Sequence, residues 1–271
     1  MKKSNFHLNK WYLDFLGEDG EVIIYYSAKL SWHGITVNYT SCIHKIPGED
    51  VKLSTHFRNT DLPLQKEEII TWLDNKLEIK GQWEAAAQPL DCRIYDSEKG
   101  NLDWHCFQPA SKVKLSIKGR ILEGSGYAEQ LILTALPWHI PMNDLRWGRF
   151  HSINDTMVWI ELREVDKKQW LWLNGESIPD CIIENDQVSS REGDFQLKLN
   201  RKIVLESEKK IYQVVGKLLH YLPGFKKIMP VKFLMADNHK WLSNGEFQKA
   251  NSEIVHGMAI HEWVNFKPQS T

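Results

Sequence analysis

Between Lys112 and Lys118 the chain reads KVKLSIK, with Val113, Leu115 and Ile117 at every second position and polar side chains between them. Only an extended backbone sends alternate side chains to opposite faces, so this stretch predicts a strand with one apolar face and one face in water. Gly119 permits a turn into a return strand from Ile121 to about Thr134. Two earlier runs, Glu21–Leu30 and Ile35–Ile46, are rich in Val, Ile, Tyr and Thr, and the Ser-Trp-His-Gly break between them suits a hairpin. Asn154-Asp155 separates two more such runs, Leu145–Ser152 and Met157–Arg163.

Helical signals are few. Gln65–Asn75 has acidic residues early and apolar ones at Ile69, Trp72 and Leu73, which predicts about two helical turns. Lys217–Ile228 predicts another short helix. Many short strands with few helices argue for barrels or sandwiches and against a βαβ enzyme. The length of 271 residues suits two domains, placed at 1–153 and 154–271, with Ser177–Asp194 as an exposed connection inside the second.

Composition excludes several classes. Lys plus Arg number 34 against 35 Asp plus Glu, so no basic surface tracks a phosphate backbone and nucleic acid is not an expected partner. The first residues lack the apolar core of a secretory signal, and no window approaches a membrane span, which together predict a cytoplasmic protein. Cys42, Cys92, Cys106 and Cys181 form no C-x-x-C pair, and the 11 histidines show no ligand spacing, so no metal site is expected. No Gly-rich phosphate loop and no G-x-S-x-G elbow occurs, and no cofactor is expected. Twelve tryptophans are an excess; indoles in such number line either a large core or an apolar cavity.

Four segments can carry chemistry. In GSGYAEQLIL, alternation puts Tyr127 and Glu129 on one face with Leu131 and Leu133. A carboxyl group in apolar surroundings either finds a partner or stays protonated, as a structural ion pair or as a proton donor. In LRWGRF, Arg146 and Arg149 point to opposite faces beside Trp147, and one of them is a possible structural partner for Glu129. In GMAIHEWV, Glu262 again lies on an apolar face, while His261 reads more simply as a neutral core histidine than as a base or ligand. In LDWHCFQP, Trp104 and His105 are adjacent, so in a strand only one of them faces a given cavity. Trp138, in the PWHIP segment, is a further candidate for lining a ligand site.

Trp11-Tyr12-Leu13-Asp14, GSGYAE, LRWGRF after PWHIP, and GMAIHE together resemble the AttH-like and carotenoid 1,2-hydratase-like family. The resemblance implies an all-β protein of two lipocalin-like β-barrel or sandwich domains side by side, with an apolar ligand cavity in or between them. Proteins of this architecture include carotenoid hydratases, tocopherol cyclases and fungal Diels–Alderases. The hydratase motif, a Tyr and an acid two positions later with His and Trp upstream, maps onto Tyr127, Glu129, His105 and Trp104. Here the acid is Glu where the motif has Asp, and Gln130 stands where it commonly has His.

The resulting expectation is a hydratase (lyase) or cyclase that protonates a double bond of a hydrophobic small molecule. Glu129, Tyr127 and His105 are its catalytic candidates; Trp104, Trp138, Trp147, Arg146, Arg149, His261 and Glu262 are its substrate-binding candidates. The rival is a non-catalytic carrier of the same class of ligand. A third possibility, a module that binds proteins through a sheet edge, predicts no sizeable cavity.

Overall fold

The computed structural model describes residues 6–57, 61–164, 167–210, 222 and 224–266. Among these the chain is all-β apart from a 3-10 turn at Pro137–His139 and two single helical turns, α1 (Phe225–Ile228) and α2 (Val231–Leu234). It divides into two units, 1–140 and 141–271, each built around its own antiparallel sheet. No helix among the described residues is long and apolar enough to cross a membrane.

The first unit contains β1 (Phe6–Gly17), β2 (Val22–Trp32), β3 (Ile35–Lys45), β4 (Lys52–His56), β5 (Leu64–Lys66), β6 (Ile69–Asp74), β7 (Ile79–Ala85), β8 (Leu90–Ser97), β9 (Gly100–Ile117) and β10 (Arg120–Leu133). Their order is β4-β3-β2-β1-β10-β9-β7-β6-β5, with β8 pairing β9. The second unit contains β11 (Asp144–Ser152), β12 (Thr156–Arg163), β13 (Lys167–Leu173), β14 (Glu176–Ser177), β15 (Cys181–Ile183), β16 (Gln187–Ser190), β17 (Phe195–Lys210), β18 (Asp237–Lys249) and β19 (Val255–Asn265). These run β14-β13-β12-β11-β19-β18-β17-β16-β15. The units share one plan: a meander whose first strand hydrogen-bonds to its last, β1 to β10 and β11 to β19. Both are lipocalin-like β domains.

The hairpins follow from local chemistry. His33-Gly34 and Lys118-Gly119 are two-residue connections with positive φ at both positions, the turn whose twist matches flanking strands. Inward-facing Val113, Leu115 and Ile117 join Trp83, Trp72, Leu13 and Phe15 in the core of the first unit. Phe150, Trp159, Leu197 and Phe247 anchor that of the second.

Three expectations are corrected. The domain break falls at 140/141 and not at 153/154, because β11 pairs along its length with β12 and β19. The segment expected as a helix at 65–75 is strand, β5 and β6, turned at Glu67 with φ 54. There Ile70, Trp72 and Asp74 point inward while Ile69, Thr71 and Leu73 point outward, so both faces carry apolar residues and the period-two signal is lost. Ser177–Asp194 is not an open connection: it contains β15 and β16, which bury Cys181, Ile183 and Val188 in the second core. Of the predicted helix at Lys217–Ile228, residues 217–221 and 223 lie outside the described residues; Phe225–Ile228 is helical.

Candidate functional site

Strand β1 is buried on both faces from Trp11 to Leu16, and that double burial places the site. Its odd positions enter the first core, whereas Tyr12 and Asp14 point to the opposite face of the sheet. In register beside them on β10 lie Glu129, opposite Tyr12, and Tyr127, opposite Asp14. On β9, Cys106 is opposite Glu129 and Trp104 is opposite Leu131. Tyr26 on β2 completes the row next to Tyr12. Asp14, Tyr127 and Cys106 are each 0% exposed, and Glu129 is half-buried.

The geometry centres on one carboxylate oxygen. Glu129 Oε2 accepts a hydrogen bond from the Tyr127 hydroxyl at 2.6 Å and another from the Trp104 indole Nε1 at 2.6 Å. Tyr127 is a fixed donor: burial pushes its phenol well above the usual range, and Cys106 and Glu129 push it further. Burial likewise holds the Cys106 thiol protonated. The Tyr12 hydroxyl donates to Asp14 Oδ2 at 3.0 Å, and its ring meets Tyr127 edge-on at 5.8 Å and Tyr26 at 5.4 Å. Trp83 crosses from the core to donate its Nε1 hydrogen to the Asp14 carbonyl at 2.8 Å. Gly126 makes room for that approach, since a Cβ there would stand 2.3 Å from the same carbonyl oxygen.

The structure thus brings together Tyr127, Glu129 and Trp104 and adds Tyr12, Tyr26, Asp14 and Cys106. The signal for Asp14 was an acid in the middle of the run WYLDFL, which has no polar face to offer it. His105 goes elsewhere. As the neighbour of Trp104 it occupies the other face of β9, stacks on Phe107 and pairs its Nδ1 with Asp91 at 2.6 Å.

The remaining candidates belong to the second unit, except Trp138, whose ring meets His139 in the 3-10 turn. Arg146 faces inward and pairs with Asp144 at 3.0 Å and with the buried Glu161 at 3.3 Å. Arg149, on the other face, is fully buried and lies 3.4 Å from His151 Nδ1. Glu262 pairs with the buried Lys240, which also sits 5.7 Å from the Trp147 ring centre. Arg146 is thus paired with Glu161, and Glu262 with Lys240. His261 is 2.9 Å from the Ser243 hydroxyl and its pKa is driven down to about 3, first by burial and then by Lys202 and Lys240. Three or more His, Cys, Asp or Glu side chains suited to one metal ion do not cluster among the described residues.

No protein-family model matches the chain, and no curated protein matches it in sequence. Solved structures do match. A protein of Nitrosomonas europaea named as a candidate AttH aligns over 94% of this chain and 92% of its own, with TM-score 0.54 and 7% identity. CghA, solved with Sch210972, aligns over 96% and 89%, with TM-score 0.53 and 12% identity. Kievitone hydratase from Nectria haematococca aligns over 97% and 89%, with TM-score 0.50 and 11% identity. At these identities the likeness is one of fold, and it extends over both units.

Proposed function

We propose that this protein is a cofactor-independent enzyme that protonates a carbon–carbon double bond of an apolar, unsaturated, isoprenoid- or polyketide-like molecule and completes the reaction by hydration or cyclisation. The observation that carries the reading is the double grip on Glu129 Oε2 by Tyr127 and Trp104. In the proposed step a neutral Glu129 gives up its carboxyl proton while Oε2 keeps its two hydrogen bonds. As it passes to an olefinic carbon, the π pair forms the new C–H bond and a cation remains on the adjacent carbon. Negative charge then develops on the carboxylate, where two prearranged donors already point at Oε2 and stabilise it.

Tyr12 and Trp104 lie on the same side of the sheet as Glu129, where aromatic rings would stabilise the cation. Water can add to that cation and return a proton to Glu129, for a net gain of one water. Alternatively a second double bond attacks it and the ring closes, with a proton returned to Glu129 and no change in mass. The hydratase among the structural neighbours favours the first ending.

The test is to incubate the protein with an apolar lipid extract and identify altered compounds by mass spectrometry, beside a Glu129→Gln variant. Loss of conversion in the variant with retained binding supports the reading. Wild-type protein that only retains unchanged ligand is a carrier, and undiminished conversion by the variant removes Glu129 from the chemistry.

A further inference from the structure

The outer face of the first sheet holds a groove of about 750 Å³, within the size range of small-molecule sites. Its apolar wall includes Leu62, Leu64, Leu73 and Ile121. Leu64 is 67% exposed, Leu73 55% and Ile121 78%, so three large aliphatic side chains stand in water around one depression. Scattered exposed leucines need no explanation, whereas a cluster lining a concavity marks a binding surface.

Register fixes how the polar groups sit among them. Leu73 on β6 pairs with Lys80 on β7, Lys80 with Ser116 on β9, and Ser116 with Ile121 on β10, one continuous cross-strand row. The adjacent row runs Leu64, Thr71, Gln82, Lys114. Lys114 is paired with Glu123 at 3.0 Å, and Asp61 is the acidic residue in the lining. No ion pair engages Lys80 among the described residues, so a cation stands between aliphatic ends.

We infer that this groove binds a second ligand, an amphipathic carboxylate whose aliphatic tail lies against Leu62, Leu64 and Leu73 and whose head group meets Lys80 and Lys114. The groove is distinct from the Glu129 site, although both lie on the same side of the sheet. Ile121 and Glu129 share the outer side of β10 eight residues apart, roughly 26 Å along the strand.

The test uses dodecanoate and dodecan-1-ol in isothermal titration against the full chain. The expected result is one dodecanoate per chain, weakened at least tenfold by Leu73→Glu and by Ile121→Glu. Lys80→Met should weaken dodecanoate while leaving the alcohol unchanged. Both glutamates replace exposed side chains, and thermal melts show that each variant is folded. Glu129→Gln should leave dodecanoate binding intact. Absence of binding, indifference to Leu73→Glu and Ile121→Glu, or loss of binding in Glu129→Gln each overturns the inference. Only the last would place the fatty chain at the proposed catalytic site.

Discussion

Lowering the pH from 7 to 5 should destabilise the second unit through His261. Its ring is buried, lies 2.9 Å through Nε2 from the Ser243 hydroxyl, and sits in a field made more positive by Lys202 and Lys240. Folded, it takes up a proton only near pH 3, against 6.5 for an exposed histidine. Between those values the unfolded chain binds more protons than the folded one, so stability is full above about pH 7 and declines as the pH falls. At pH 5 the unfolded histidine is 1.5 pH units below its midpoint, which corresponds to about 2 kcal/mol. Urea unfolding of wild type and His261→Gln at both pH values isolates this contribution, because the other titrating groups are common to the two proteins. Wild type should lose about 2 kcal/mol more than the variant. Equal losses would refute the assignment of a buried, neutral His261.

Tyr127→Phe removes one of the two donors to Glu129 Oε2, and conversion should fall roughly 100-fold while the fold persists, read by product formation beside circular dichroism. Gly126→Ala presses a methyl group against the Asp14 carbonyl and Val113 at 2.3 and 2.5 Å, and should destabilise the first unit by at least about 2 kcal/mol in urea titration. Burial carries the Cys42 thiol up to about 12 and that of Cys181 to about 11. Iodoacetamide at pH 7.5 should therefore label half-buried Cys92 first in the folded protein, and early labelling of Cys106 would contradict the buried position described.

What could be read from sequence followed the strength of each local signal. KVKLSIK and its Gly119 turn fixed a hairpin because one face is apolar and the other charged. IITWLD misled for the opposite reason: its outward Ile69 and Leu73 are apolar, so a helical spacing fitted equally well. That missing alternation is itself the trace of the groove, of which Leu73 forms part. The Tyr127–Glu129 pair was legible from i, i+2 spacing on one strand, and Trp104 and His105 were legible as residues of opposite faces. Asp14, Tyr12 and Tyr26 were not, since they reach the site by pairing of β1 with β10 and β2, contacts between residues far apart in the chain. The partners of Arg146 were not legible, because alternation gives a face but not a partner. Arg146 found Asp144 two residues away and Glu161 across one hairpin.

Proton transfer from Glu129 to carbon is the centre of the account, and solvent deuterium reports it directly. Conversion run in heavy water should give a product with one deuterium bound to carbon beside the new hydroxyl group or ring bond, and Glu129→Gln should give none. A product from wild type without carbon-bound deuterium, or the same labelled product formed as fast by the variant, would contradict it.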